Sequence, residues 1–108
     1  MKLLSRIEEI ILLAVWRLQD EAYGISICEE VARATGETWQ PGAIYGPLSR
    51  LHRKRLLKTT RGEPTPERGG RSKTYYHLTP HGRRALQQVR RINARIWSDI
   101  PVLEFDTP

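Results

Sequence analysis

The sequence predicts a mainly α fold that carries one small β-hairpin and ends in a long C-terminal helix. Three observations predict it. Three amphipathic stretches precede residue 56, each bounded by a capping or breaking residue. Two Thr/Tyr-rich runs, 57–61 and 74–78, flank the Gly/Pro-rich segment GEPTPERGGRSK. Thr79-Pro80 then opens a stretch in which Leu86, Val89, Ile92, Ile96 and Ile100 recur at helical steps.

The first helix begins after Ser5, with Glu8 three residues on in the capping-box pattern, and runs to Leu18. Ile7, Ile10, Ile11, Ala14, Val15 and Leu18 make it apolar on two sides, so it needs cover on more than one face. Asp20 to Gly24 is expected to be a connector. The second helix spans 25–35, presents Ile25, Cys28, Val31 and Ala32 on one face, and stops at Gly36. Cys28 is expected to be a small core residue. Trp39 is expected to buttress the next turn. Pro41 opens a third helix through about Arg55. Pro47 lies inside it and removes the bond to the Ala43 carbonyl, so either the helix is regular only from Tyr45 or its first turn is distorted. The final helix should reach Ile100, before Pro101. Two helices joined by a short turn and followed at once by a hairpin make a winged helix-turn-helix. The expected division is a winged domain at 1–79, a dimerisation helix at 80–101 and a patternless tail at 102–108.

The chain has 108 residues and a formal net charge of +6. Residues 50–73 hold nine Lys/Arg against two Asp/Glu, so the whole excess sits in that stretch. A solubilising charge would be interspersed; a concentrated one points to an anionic polymer. The single cysteine rules out a disulfide within the chain and suits a reducing cytoplasm. The apolar N-terminal run is interrupted by charge, reads as no signal peptide, and is too short to span a bilayer.

On a helical wheel the third helix places Ile44, Leu48 and Leu51 within roughly 60° of one another as a core face. Opposite lie Gly42, Gly46, Ser49, Arg50 and Arg53, flanked by Tyr45 and His52 on one side and Lys54 on the other. Small residues let a backbone approach closely, and Arg and Ser can bond to base edges or phosphates. The hairpin tip adds Arg68, Arg71 and Lys73 beside Gly69 and Gly70. The candidate DNA-contacting set is Gln40, Gly42, Ala43, Tyr45, Gly46, Ser49, Arg50, Arg53, Lys54, Arg71, Ser72 and Lys73, and the partner is double-stranded DNA. A basic amphipathic C-terminal helix could also lie on a membrane, but its stripe continues a folded domain, so no membrane partner is expected.

Nothing points to an enzyme. His52, His77 and His81 are scattered, and no acid–base pair, metal-spaced cluster or nucleotide loop is visible. No cofactor and no metal are expected. The competing reading is a winged module that binds RNA or protein; Tyr45 is the aromatic that keeps an RNA option open.

Three segments resemble the PadR family of bacterial transcriptional regulators: YGISICEEV at 23–31, the W-x-P-G-A-I-Y-x-x-L-x-R-L pattern from Trp39 to Leu51, and GGRSKTYYHLTPHGRRAL at 69–86. Family members often carry Pro directly after the tyrosine of the third helix, where this chain has Gly46. The resemblance implies a homodimeric regulator, usually a repressor, that binds a palindromic operator. The third helix would be its recognition helix and 62–73 its wing. It resembles the short subgroup, with one C-terminal helix packed against helix 1 of the partner; Ile7, Ile11, Leu86, Val89, Ile92, Ile96 and Ile100 are the expected dimer interface. Some short members bind flat aromatic molecules between the dimer helices through a Trp on the last helix. That makes Trp16, Asn93 and Trp97 a candidate ligand pocket, with Asn93 at the expected position and Trp97 one turn later. The favoured alternative is that Trp97 packs on helix 1, against Trp16.

Overall fold

The computed structural model of the chain describes residues 2–63 and 72–101. The elements are α1 (Arg6–Leu18), a 3-10 turn (Gln19–Glu21), α2 (Gly24–Thr35), α3 (Pro41–Arg53), β1 (Leu57–Arg61), β2 (Thr74–Leu78) and α4 (Pro80–Trp97). Arg68 and Arg71 of the expected wing tip, and the tail 102–108, lie outside the described residues.

α1 is the central strut, touching α2, α3, α4 and β2. Its capping box is complete: the Ser5 hydroxyl accepts from the Glu8 N–H at 3.2 Å and the Glu8 carboxylate accepts from the Ser5 N–H at 2.8 Å. Ile11, Leu12, Ala14 and Val15 enter the core with Ile27 and Val31 of α2, Ile44, Leu48 and Leu51 of α3, and Leu56, Leu57 and Leu78 around the hairpin. Leu12 is fully buried, whereas Leu13 and Trp16 face outward. Ile11, expected at a dimer surface, has no exposed area within its own chain, so it belongs to the core and presents nothing to a partner.

The buried face of α2 is turned by roughly 80° from the expected one. It is centred on Ile27 and Val31, Cys28 sits at its edge, and Ile25 is 53% exposed. Burial, and then the Glu29 charge, push the Cys28 thiol pKa up. Gly36 ends α2 with φ +76°, where a residue without a Cβ is least strained.

α3 starts at Pro41, not near Tyr45, and stays helical through Pro47. Its first turn is tightened, with the Ala43 N–H donating to the Gln40 carbonyl at 2.9 Å. Ala43 is exposed, so water can serve the carbonyl that Pro47 leaves without a donor. The helix ends at Arg53, and Arg55, with φ +63°, turns the chain so that Leu56 and Leu57 re-enter the core.

The strands pair antiparallel with Leu57 opposite Leu78 and Arg61 opposite Thr74. The connector at 20–24 is more than a link. Ala22 is fully buried, its carbonyl accepts from the Tyr76 N–H at 2.8 Å, and Tyr23 forms an antiparallel bridge to Tyr75. β2 is thus flanked on both edges, which fixes the hairpin on the helices.

Thr79 joins α4 to the rest. Its hydroxyl accepts from the Gly82 N–H at 3.0 Å and donates to the Arg55 carbonyl at 2.7 Å. Gly82 lies against the Leu56 carbonyl, where a side chain would collide. α4 ends three residues short of the expected Ile100: the Ser98 hydroxyl bonds to the Arg95 carbonyl and Asp99 takes φ +63°.

Candidate DNA interface

α3 divides as its sequence dictates. Ile44, Pro47, Leu48 and Leu51 are buried, while Gln40, Gly42, Ala43, Tyr45, Gly46, Ser49, Arg50, His52 and Arg53 are exposed. A side chain at Gly42 or Gly46 would meet nothing within 4 Å, so the fold leaves both sites open. The start of the exposed face is therefore low and neutral, and its end carries two guanidinium groups.

Tyr45 is held from below. Its hydroxyl end occupies the space a side chain at residue 24 would need, so Gly24 lets α3 seat this ring on the first turn of α2. Burial, and then the nearby Tyr45, push the Tyr76 phenol pKa up, which keeps it protonated and able to donate. Trp39 packs on the core at the start of α3, and its indole N–H donates to the Thr35 hydroxyl at 2.9 Å, tying the end of α2 to the turn.

Lys54 is exposed, as expected, and also pairs with an acid. Its Nζ lies 3.0 Å from Glu8 Oε2, so the cation also serves the α1–α3 contact, while its side chain stays 48% exposed. Burial opposes the charge of Glu8, but the Ser5 N–H and the Lys54 ammonium outweigh it and hold the carboxyl below its usual range. A second buried carboxylate, Glu30, binds Arg33 at 2.6 Å and approaches Arg17 of α1 at 3.9 Å. Both acids face the helix packing, so Arg50 and Arg53 stand on the open face without them.

At the root of the hairpin, Ser72 and Lys73 are half-buried. The Gly62 N–H donates to the Lys73 carbonyl at 2.8 Å. The Lys73 ammonium sits 4.0 Å from the centre of the Tyr23 ring, which meets Tyr75 edge-on with centroids 5.7 Å apart. Sequence reasoning missed Tyr23, because a one-residue bridge leaves no alternating pattern to read.

The expected dimer residues divide. Val89 is 9% exposed, so like Ile11 it is covered by its own chain. Ile7, Leu86 and Ile92 are half-buried, whereas Ile96 and Ile100 are exposed at 60% and 46%. Trp97 is 60% exposed and does not cover Trp16; instead the Arg83 guanidinium stacks over the Trp16 ring at 5.0 Å. Trp16 and Asn93 line one groove of about 490 Å³ between α1 and α4, with Leu13, Leu78, Arg83 and Leu86; Trp97 is not part of its wall. Among the described residues no cluster suits a metal ion.

A helix-turn-helix whose second helix is followed by a hairpin, with cations on the exposed face of that helix and at the hairpin root, defines a winged-helix DNA-binding protein. The chain belongs to the transcriptional regulator PadR-like family, which it matches over residues 12–88. It is a transcriptional regulator that acts through DNA binding, in a family of non-catalytic proteins. No curated protein sequence matches it significantly. Among solved structures, it resembles a PadR-like transcription factor from Bacteroides fragilis (26% identity, TM-score 0.69, covering 83% of this chain and 82% of that one). A PadR family regulator from Clostridium difficile R20291 is similar at 25% identity and TM-score 0.66, covering 85% and 90%. RosR of H. salinarum shares the fold at 22% identity and TM-score 0.72, covering 90% and 79%.

Proposed function

We propose that the protein is a homodimeric repressor that reads a palindromic operator, with α3 in the major groove and the hairpin against the flanking backbone. The observation that carries this is the exposed face of α3, low at Gly42, Ala43 and Gly46 and ending in Ser49, Arg50 and Arg53. Gln40 and Tyr45 border it, and Ser72 and Lys73 continue it at the root of the hairpin; Arg71, outside the described residues, is the further wing contact proposed from the sequence. Lys54, paired with Glu8 but 48% exposed, extends the set at the C-terminal end of α3.

Residues 1–79 act as the DNA-binding unit and 80–101, helical to Trp97, as the dimerisation segment. Support comes from apolar side chains that the described residues leave open: Ile96 and Trp97 at the end of α4, Ile100 just beyond it, and Leu3 near the start of α1. Ile7, Leu86, Ile92, Ile96 and Ile100 form the dimer contact. A twofold dimer matches a two-half-site operator. The groove holding Trp16 and Asn93 takes a small, flat aromatic effector that releases the operator. Such a regulator works in the cytoplasm with the chromosome; among the described residues no helix is long and apolar enough to cross a membrane.

The test is fluorescence anisotropy with the DNA upstream of the protein's own gene against a shuffled duplex, at two salt concentrations. A preference for the native duplex that survives higher salt supports the operator reading. Equal, steeply salt-sensitive binding to both duplexes contradicts it.

A further inference from the structure

A cleft of about 260 Å³ opens between the first turn of α2, the Tyr45 ring of α3 and the start of β2. Its chemistry follows from how the hairpin is anchored. The Tyr23–Tyr75 bridge and the bond from the Tyr76 N–H to the Ala22 carbonyl bring β2 against the entry to α2. Gly24 lets Tyr45 close the cleft from the α3 side. The wall then carries Tyr23, Tyr45, Tyr76, Ser72 and Thr74, all hydroxyl-bearing, and the Lys73 ammonium, and among the described residues no carboxylate lines it. The ammonium is held over the Tyr23 ring at 4.0 Å, so its position is set before any ligand arrives.

We propose that this cleft is a seat for one backbone phosphate of bound DNA, with Tyr23 and Lys73 as its main contacts. The inference deepens the DNA-binding reading and rests on it. The cleft lies between the exposed face of α3 and the root of the hairpin, so a strand passing from helix to wing crosses it. Phosphodiester oxygens accept hydrogen bonds and carry charge, which a wall of hydroxyl donors and one fixed cation satisfies. Stacked on Tyr23, Lys73 gives up little freedom on binding. Tyr23 thus acts twice, as the platform for the cation and, through its hydroxyl, as a donor.

The experiment titrates wild type, Tyr23→Phe and Lys73→Gln with labelled upstream DNA and with a shuffled duplex of equal length, across a salt series. Tyr23→Phe keeps the ring and removes the hydroxyl; its thermal midpoint should match wild type. It should weaken both duplexes by the same factor, about threefold to tenfold, with an unchanged salt slope because the hydroxyl is neutral. Lys73→Gln should weaken both equally and reduce the salt slope by about 1. Wild-type affinity of either variant for both duplexes, or a loss confined to the upstream DNA, overturns the phosphate seat. The operator reading fails separately, when wild type itself shows no preference between duplexes; the shuffled duplex still tests the seat in that case.

Discussion

The Lys54 ammonium lies 3.0 Å from the buried Glu8 carboxylate, joining the end of α3 to the first turn of α1 across 46 residues of sequence. The same carboxylate closes the α1 capping box through the Ser5 N–H. One side chain thus sets the start of α1 and the angle at which the exposed helix leaves the core. Glu8→Ala removes both links and should cost about 2 kcal/mol. Glu8→Gln can keep the cap and should cost about half of that. Urea denaturation at pH 7 measures both. The folded-state pKa of Glu8 is lowered, so its contribution is full above the ordinary 4.5 and is lost as pH falls through the folded value. The gap between wild type and Glu8→Gln should therefore shrink below pH 4.5. A gap that persists or widens there means that the charge of Glu8 is not what stabilises the contact.

Two glycines should respond in opposite directions. A β-carbon at Gly82 would overlap the Leu56 carbonyl, a backbone atom that cannot swing aside, so Gly82→Ala should destabilise by about 2 kcal/mol. Gly46 has open space around it, and Gly46→Ala should stabilise the helix by about 0.5–1 kcal/mol. That added methyl stands on the exposed face of α3, so the stabler protein should bind DNA more weakly. Gly46→Ala with undiminished affinity would place the DNA elsewhere than against this turn.

Ile96, near the end of α4, is left 60% exposed by the described residues. Ile96→Asp should shift sedimentation from dimer to monomer and reduce operator affinity with it. A variant that stays dimeric would move the interface off the end of α4.

The groove between α1 and α4 makes a prediction about fluorescence. A planar aromatic ligand stacking beside Trp16 should quench tryptophan emission and lower operator affinity. Both effects should vanish in Trp16→Ala and persist in Trp97→Phe, because Trp97 stands outside the groove. The reverse pattern would put the ligand at the end of α4.

Features that depend on near neighbours were legible in the sequence. Ser5 with Glu8, Gly36 after α2, and Thr79 with Pro80 each announce an end three or four residues from the groups they satisfy. The strands 57–61 and 74–78 are legible because Thr and Tyr pair across a Gly/Pro-rich link. What was not legible is set by distant contacts. The pairing of Lys54 with Glu8, 46 residues away, appears only when the two are folded together. The face of α2 was misjudged because Ile25 and Ile27 are equally apolar, and only packing on α1 and α3 selects Ile27. Ile11 and Val89 fit a dimer stripe by spacing, yet a single chain already buries them. The role of Tyr23 depends on β2, which arrives fifty residues later.

The central claim is that α3 reads base sequence through Arg50 and Arg53. Its most direct test is the ratio of affinities for upstream and shuffled DNA in Arg50→Ala and Arg53→Ala, measured by anisotropy at fixed salt. Each substitution should cost about 1–3 kcal/mol on the upstream duplex and much less on the shuffled one, so the ratio collapses. An unchanged ratio in both variants would contradict the account and remove α3 from sequence recognition.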